Sequence, residues 1–299
     1  MWQQWIQQIQ QGDTRALARA ISLAENEADG LLEALGAIHI PQKPVIGITG
    51  PPGAGKSTLT DALIGALIQD GKSVAVLCVD PSSPFHQGAV LGDRIRMSEW
   101  YTHPNVYIRS LATRGALGGL HPRILEITDL VRCFTADWIL IETVGVGQSE
   151  VEVAGLADRT VVVLVPEAGD EIQTMKAGLL EIADLFVVNK SDRPDAARFK
   201  NYLEKMVEED RGHRNATPIL ETIATEKKGI EQVLKTITEL LQSDTQPERE
   251  KMLLMEKAKH LLREHWLRKL DIKKMKASLE QASQTPDFNL YAWVTRYAD

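Results

Sequence analysis

Short apolar runs alternate along most of the chain with longer segments in which apolar residues recur at helical spacing. The runs are rich in Val, Ile and Leu, as strands buried on both faces are. This order predicts an α/β fold with a mostly parallel central sheet flanked by helices. We expect strands at 45–49, 73–80, 106–111, 138–144, 160–166, 185–189 and 218–224, and helices at 59–68, 123–134, 171–182, 196–209 and 230–241.

Both ends of the chain are predicted to be helical extensions. Gly12 and Asp13 are typical of a helix stop followed by the N-cap of a helix over 14–25. Beyond a polar linker at 242–248, an apolar stripe that ends at Trp266 predicts a helical arm, which packs on its own core or on a second copy. The predicted domains are an N-terminal helical extension (1–43), an α/β domain (44–242) and a C-terminal helical arm (243–299), for which dimerisation is one of these two alternatives.

The composition is typical of a soluble globular protein. The 299 residues are 43% hydrophobic and 25% charged, with a formal net charge of −7 and no sustained Lys/Arg cluster, which argues against nucleic acid as the main partner. No apolar run approaches the ~20 residues that span a bilayer, and residues 1–6 lack the features of a signal peptide. Cys78 and Cys133 form no metal-binding spacing, so we expect reduced core cysteines in a cytoplasmic protein without a membrane partner.

Residues 50–58, GPPGAGKST, fit the phosphate-binding P-loop pattern G-x-x-x-x-G-K-[ST] in full. The segment lies between a predicted strand and a predicted helix, so its N–H groups would surround a phosphate at the positive end of the helix dipole. Lys56 would reach the β- and γ-phosphates, and the Ser57 hydroxyl would bind Mg²⁺. The prolines at 51 and 52 have no N–H. The donors are therefore expected from Gly53, Ala54, Gly55, Lys56, Ser57 and Thr58.

A P-loop alone leaves a kinase, an ATPase and a GTPase open, and the segment 189–192, NKSD, decides between the bases. It follows a predicted strand and fits the guanine signature N-K-x-D. The Asp192 carboxylate can accept hydrogen bonds from both N1–H and N2–H of guanine, which adenine does not offer. Asn189 is expected to tie neighbouring loops to the base edge, and the Lys190 stem to lie along the base. The pattern therefore predicts binding of GTP and GDP.

The apolar run from Trp138 leads into a third motif that is typical of GTPases. It ends in the carboxylate of Glu142, and Gly145 follows three residues later, as in the metal and γ-phosphate sensor of GTPases. Glu142 would hold Mg²⁺ through water, and the Gly145 N–H would meet the γ-phosphate and be released on hydrolysis. Val146 stands where a glutamine could orient the attacking water; Gln148 either substitutes for it or is an ordinary loop residue. We therefore expect slow unaided turnover, roughly 10⁻⁴ to 10⁻² s⁻¹.

Two further acids are candidates for the same site. Asp80 ends the predicted strand 73–80, and Asp93 lies in the segment 88–97. A strand-end aspartate beside a P-loop can bind the magnesium-bound water or the attacking water. The alternatives are a turn acid before a proline for Asp80 and an acid at the start of a surface helix for Asp93.

Six blocks of the sequence resemble the MeaB/ArgK-type GTPases. Members of this family are G-protein chaperones of adenosylcobalamin-dependent acyl-CoA mutases, such as methylmalonyl-CoA mutase. The resemblance implies an α/β P-loop GTPase that is a homodimer, binds GTP and Mg²⁺, docks on its mutase, gates the loading of adenosylcobalamin and helps to replace damaged cofactor. The blocks are GDTRALARAISL (12–23), GPPGAGKST (50–58), VDPSSP (79–84), AVLGDRIRM (89–97), ADLFVVNKSD (183–192) and the most specific of them, ETVGVGQSE (142–150).

The resemblance also implies roles that the local pattern leaves ambiguous. It implies that Asp80, Asp93 and Glu142 form the magnesium and hydrolysis cluster. It further implies that 165–176 is a mobile switch from which Lys176 reaches the active site when the partner is bound. By its own pattern Lys176 is a solvated helix residue.

Two loops depart from the family, and two other functions stay open. Residues 85–88, FHQG, stand where a Thr-Gly-Gly-type loop is usual, and the guanine-loop support at Ala224 lacks the common Ser-Ala pair.

The first alternative function is that of a GTPase that inserts nickel into a hydrogenase or urease, for which the sequence shows no Cys/His cluster. The second is a P-loop kinase of small molecules, which would prefer ATP, against the guanine preference of Asp192.

Overall fold

A computed structural model describes residues 1–80, 97–113, 120–143, 149–168, 178–211, 217–243, 247–285 and 288–298. For some residues at the ends of these ranges, Asp80 among them, it describes the backbone alone. The chain divides into two units, Met1–Glu250 and Lys251–Asp299. The three-domain division inferred from the sequence, with boundaries near residues 43 and 243, stays a prediction.

Seven strands of the described residues form one sheet in the first unit. They are β1 (Val45–Thr49), β2 (Val74–Asp80), β3 (Val106–Ala112), β4 (Trp138–Glu142), β5 (Arg159–Leu164), β6 (Leu185–Asn189) and β7 (Ile219–Thr222). Their order is β3-β2-β4-β1-β5-β6-β7, and every neighbouring pair is parallel. The carboxyl ends of all seven strands therefore meet at one edge of the sheet, the usual place for a ligand in such folds.

Helices precede, connect and follow these strands. In the first unit they are α1 (Trp2–Gln10), α2 (Thr14–Glu25), α3 (Leu31–Gly36), α4 (Lys56–Gln69), α5 (Ile124–Cys133), α6 (Ser149–Leu156), α7 (Gly178–Ile182), α8 (Ala196–Arg211) and α9 (Ile230–Gln242). Within the described residues, short 3₁₀ turns lie at Ser98–Trp100, Pro166–Ala168 and Ala224–Glu226. The remaining helices are α10 (Pro247–Lys269), α11 (Ile272–Ser283) and α12 (Leu290–Ala298).

The two faces of the sheet are buried in different apolar clusters. Val45 of β1 packs in a cluster with α1, α2, α3 and α5, whereas Ile46 and Ile48 of the same strand pack in a cluster with α4 and α9. The side chains separate in this way because successive residues of a strand point to opposite faces. Glu25 of α2 also pairs with Arg109 of β3. The N-terminal helices thus form part of the core of the first unit.

The predicted fold class is confirmed. Each predicted strand is present with ends that lie within two residues of those expected, and Cys78 and Cys133 are buried and form no disulfide within the described residues. The helix over Thr14–Glu25 begins as predicted, because Asp13 Oδ1 accepts hydrogen bonds from the backbone N–H groups of Arg15 (2.8 Å) and Ala16 (3.0 Å). The helix expected over 59–68 starts earlier, at Lys56. Of the helix expected over 171–182, Gly178–Ile182 is described.

The second unit exposes many of its apolar side chains. Trp266 of α10 is 63% exposed, Leu254 of the same helix is 68% exposed, and Tyr291 of α12 is 84% exposed. Both α10 residues belong to the apolar stripe seen in the sequence. Among the described residues of the whole chain, no helix is both long enough and apolar enough to cross a membrane.

Candidate nucleotide site

The loop between β1 and α4 uses glycine where its backbone takes the left-handed region. The φ angles of Gly50, Gly53 and Gly55 are 137°, 77° and 88°, values that residues with a Cβ rarely adopt. Gly55 is the N-cap of α4, and Lys56 is the first residue of that helix. The first N–H groups of a helix have no partner within it, so those of α4 are placed to meet a phosphate bound in the loop.

Two of these glycines also permit close packing of the loop. A Cβ on Gly50 would overlap the backbone carbonyl of Val163 in β5, and a Cβ on Gly55 would overlap the side-chain amide of Asn189. A Cβ on Gly53 would meet no atom within 4 Å. The P-loop is therefore packed closely against β5 and the end of β6 at Gly50 and Gly55, while the space beside Gly53 is open.

Lys56 is held by the carbonyl groups of the same loop. Its ammonium donates hydrogen bonds to the oxygens of Gly50 (2.9 Å) and Pro51 (3.0 Å), and the residue is only 6% exposed. These contacts keep a positive charge within the loop whose N–H groups would surround the phosphates. The arrangement favours an anionic ligand.

Ser57 and Glu142 bring a hydroxyl and a carboxylate together beside the P-loop. Ser57 Oγ donates to Glu142 Oε1 over 2.6 Å, and the two residues are 5% and 3% exposed. They meet because β4, which ends at Glu142, is the neighbour of β1 in the sheet. Oxygen atoms of this kind are the ligands that Mg²⁺ prefers, and Mg²⁺ commonly takes only one or two of them from the protein. The pair therefore fits a magnesium ion bound with a nucleotide.

Asn189 joins three segments at the other side of the P-loop. Its amide Nδ2 donates to the carbonyl of Ala54 over 2.9 Å, and its Oδ1 accepts from Thr222 Oγ1 and from the Ala224 N–H, both over 3.1 Å. Ala54 belongs to the P-loop, Thr222 ends β7, and Ala224 begins the following 3₁₀ turn. One buried amide thus fixes the position of the P-loop relative to the ends of β6 and β7.

Lys190 extends this connection, and Asp192 faces solvent. The Lys190 backbone has a positive φ of 56°, and its ammonium donates to the carbonyl of Gly53 over 2.8 Å. Asp192 is exposed. The pKa of Lys228 is raised, chiefly by its hydrogen-bonded ion pair with Glu226 and to a smaller degree by Asp192. The backbone N–H of Ser191 donates to the carbonyl of Thr222 over 3.1 Å, so the segment that carries Asp192 lies beside the end of β7.

The chain is similar along most of its length to one known family. A family model described as Methylmalonyl Co-A mutase-associated GTPase MeaB matches residues 17–281. The chain belongs to the MeaB family. The resemblance noted in the sequence is thereby confirmed, and with it the class of enzyme, a GTP hydrolase.

Individual relatives and a solved structure agree with this family. A putative GTPase of Pyrococcus abyssi is 46% identical over 240 residues, which cover 78% of this chain and 74% of that protein. The mitochondrial methylmalonic aciduria type A homolog of Mus musculus is 43% identical over 197 residues, which cover 60% of this chain and 48% of the mouse protein. The crystal structure of a LAO/AO transport system kinase matches with a TM-score of 0.67 at 28% identity, covering 99% of this chain and 91% of that one.

Several of the residues expected in the MeaB site lie outside the described residues. They are Asp93, Gly145, Gln148 and Lys176, together with the side chain of Asp80 and the loop at 85–88. The backbone of β2 does end at Asp80, opposite Ala112 of β3 and at the same edge of the sheet as the P-loop. The roles assigned to this set stay predictions.

Two polar contacts of the site were not anticipated from the sequence. Thr222 binds Asn189, and Thr49 at the end of β1 binds Thr143 just beyond β4. A threonine at the end of a strand is the signal that could have marked both, since strand ends in a parallel sheet converge at one edge. Threonine is also common within strands, so this signal alone does not select them.

Proposed function

We propose that the site binds GTP with Mg²⁺ and hydrolyses the nucleotide by in-line attack of water. The observation that carries this proposal is the direct connection between the two loops. Asn189 bonds to the P-loop carbonyl of Ala54, and Lys190 bonds to that of Gly53. The loop for the base and the loop for the phosphates therefore form one unit, in which Asp192 would accept N1–H and N2–H of guanine.

We assign Ser57 as a direct ligand of Mg²⁺ and Glu142 as a partner through water. The support is their buried contact of 2.6 Å and the oxygen chemistry of both groups. When bound, Mg²⁺ supplies positive charge to the β- and γ-phosphate oxygens. The Lys56 ammonium and the N–H groups of the loop would add to that charge as the bond between the γ-phosphorus and the β–γ bridging oxygen breaks and water adds to the γ-phosphorus.

The attacking water and the γ-phosphate are assigned to residues of the sequence motifs. In this proposal Asp80 and Asp93 bind the magnesium-bound or attacking water, Gln148 orients that water, and the Gly145 N–H meets the γ-phosphate. Val146 stands where a glutamine could orient the attacking water, and we propose that unaided turnover is slow, within the roughly 10⁻⁴ to 10⁻² s⁻¹ of GTPases that act without a partner.

We propose that hydrolysis controls an adenosylcobalamin-dependent acyl-CoA mutase, such as methylmalonyl-CoA mutase. The support is the description of the family, which associates its GTPases with that mutase. The protein would gate the loading of adenosylcobalamin, which the mutase alone binds, and protect or reactivate the mutase. Lys176, in the proposed switch at 165–176, would reach the active site in the complex. Cys78 and Cys133 form no disulfide in the described part of the chain, which agrees with the cytoplasmic location that this role implies.

We propose further that the protein is a homodimer in which the arm at 243–299 contacts a second copy. The exposed apolar side chains of the second unit, such as Trp266 and Leu254, support a protein contact there. Light scattering after size exclusion would test this. We expect a dimer whose dissociation constant rises in Trp266→Glu, whereas a monomer at every concentration would contradict the dimer.

The rate of GTP hydrolysis with and without purified methylmalonyl-CoA mutase tests the proposed function. We expect the rate to rise at least about tenfold. This is much smaller than the 10³–10⁵-fold increase in kcat that an arginine supplied by a partner gives in other GTPases. The Lys56→Ala variant controls for contaminating activity and should be inactive in both conditions. An unchanged rate at saturating mutase would contradict the role. Stimulation by a nickel-enzyme maturation factor would favour the first alternative, and phosphate transfer from ATP to a small molecule the second.

A further inference from the structure

Two buried threonine hydroxyls connect the strand before the P-loop to the strand that carries Glu142. Thr49 is the last residue of β1, and Thr143 follows the last residue of β4. Their Oγ1 atoms lie 2.9 Å apart, and the residues are 0% and 2% exposed. The backbone N–H of Thr143 also donates to the carbonyl of Ile48 over 3.0 Å. The hydroxyl pair therefore lies inside the protein, at the base of the nucleotide site.

This hydrogen bond lies where the backbone pairing of the two strands stops. The last paired residues of β1 and β4 are Ile48 and Glu142, and the threonines are the next residue of each strand. Beyond them the chain leaves the sheet at Gly50 on one side. The backbone thus connects the two segments as far as the N–H of Thr143, and the hydroxyl pair adds a side-chain connection at that same end of the pairing.

The same two segments meet a second time at the proposed metal site. Thr49 precedes the P-loop that carries Ser57, Thr143 follows Glu142, and Ser57 donates to the Glu142 carboxylate. A carboxylate that binds a metal ion must be held in a fixed orientation. Residues next to metal ligands commonly hold them in that orientation. The threonine pair is placed to hold the backbone next to Glu142 relative to the P-loop.

Hydroxyl groups are not needed here to fill space. Valine has the same branched shape as threonine, and the surrounding strands are rich in valine and isoleucine. Replacing both members of a buried hydrogen bond by apolar groups of the same shape is often nearly neutral for stability, whereas replacing one member leaves the other unsatisfied. The matched pair of hydroxyls therefore contributes more to the relative position of the two strand ends than to the free energy of unfolding.

We propose that the hydrogen bond between Thr49 and Thr143 is a positioning device for the Glu142 carboxylate, and through it for Mg²⁺. This inference rests on the proposed magnesium role of Ser57 and Glu142. Neither threonine touches the metal or the nucleotide in this account. Each acts through the backbone of its neighbour, so the predicted effect is on the affinity for Mg²⁺ and not on the affinity for the nucleotide without metal.

The release of a fluorescent GDP analogue, measured against Mg²⁺ concentration, tests the inference. We expect Thr143→Val to raise the Mg²⁺ concentration at half-maximal slowing of release by about tenfold, the lower end of the effect of groups behind metal ligands. Release in excess chelator should stay within about twofold of the natural protein, because the P-loop keeps its nucleotide contacts. Thr143→Ser keeps a hydroxyl and should restore the Mg²⁺ dependence.

The variant with valine at both positions separates positioning from stability. Its thermal midpoint should return close to that of the natural protein, since no hydroxyl is left unsatisfied, while its Mg²⁺ dependence should stay shifted. The same variant keeps the test valid if Thr143→Val does not fold. An unshifted Mg²⁺ dependence in the double variant would overturn the inference. If the natural protein binds GDP but its release does not respond to Mg²⁺, the proposed metal site itself is wrong and the inference is overturned with it.

Discussion

Replacing Asn189 with alanine removes three hydrogen bonds from the centre of the site in one step. The side chain donates to the Ala54 carbonyl and accepts from the Thr222 hydroxyl and the Ala224 N–H. The three partner residues are 0%, 1% and 5% exposed. The alanine variant therefore leaves a buried carbonyl, a buried hydroxyl and a buried N–H without the partner they have now.

The expected loss of stability follows from these three groups. Each buried group that loses its partner costs about 1–3 kcal/mol. Water that enters the space of the deleted amide, together with rotation of the Thr222 hydroxyl, recovers part of this cost. We therefore expect the free energy of unfolding of the nucleotide-free protein to fall by about 2–4 kcal/mol in Asn189→Ala. The affinity for GDP should fall as well, because the P-loop loses its connection to the end of β6.

Two variants of neighbouring residues serve as matched controls. Thr222→Val removes one of the three hydrogen bonds and should cost only about 0.5–1.5 kcal/mol. Asp192 is exposed, and no hydrogen bond to its side chain is found within the described residues. Asp192→Ala should therefore stay within about 0.5 kcal/mol of the natural protein in stability while it loses the preference for guanine.

Urea denaturation of the nucleotide-free proteins, paired with titration of a fluorescent GDP analogue, measures both effects. The expected order of destabilisation is Asn189→Ala, then Thr222→Val, then Asp192→Ala. A loss below about 0.5 kcal/mol in Asn189→Ala would refute the reasoning, because three buried groups would then have lost their partner at no cost. An equal loss in Asp192→Ala and Asn189→Ala would also refute it.

Three further predictions concern the base, the loop and the cysteines. Asp192→Asn should favour xanthine over guanine nucleotides by at least about tenfold, because the amide can donate to the C2 carbonyl of xanthine; unchanged preference in competition titrations would contradict this. In urea denaturation, Gly50→Ala should cost more than Gly53→Ala, whose open position carries only the ~1–2 kcal/mol of a left-handed backbone; equal losses would contradict the packing of the loop. Burial raises the pKa of Cys133 to about 11, so at pH 8 roughly 10⁻³ of its thiol is ionised. Neither cysteine should react with iodoacetamide in the native protein, as read by mass spectrometry, and both should react in urea; rapid labelling of the native protein would contradict the burial.

Features that depend on residues close together in the sequence could be predicted from it. The start of α2 at Thr14 follows from Gly12, which has a positive φ, and from Asp13, whose carboxylate caps the helix. The five central strands follow from their apolar runs, since strands buried on both faces need apolar residues throughout. The edge strands β3 and β7 are partly exposed and carry polar residues as well. The P-loop likewise follows from a pattern of eight consecutive residues, 50–57.

Contacts between distant segments could not be predicted in this way. Thr49 and Thr143 lie 94 residues apart, and they meet only because β4 is next to β1 in the sheet. Every central strand has a similar apolar pattern, so the pattern does not reveal the order of the strands. The partner of Asn189 on β7 is Thr222 for a similar reason: the pairing of β6 with β7 places the two residues opposite each other.

The affinity of the purified protein for methylmalonyl-CoA mutase, measured by calorimetry with GDP and with a non-hydrolysable GTP analogue, tests the central claim most directly. A nucleotide-controlled chaperone must bind its partner differently in the two states, because a ligand shifts a partner only through differential affinity. We predict binding with dissociation constants that differ by at least about fivefold between the two nucleotides, and a loss of this difference in Lys56→Ala. Equal affinity in both states, or no binding by a protein that binds GDP normally, would contradict the account.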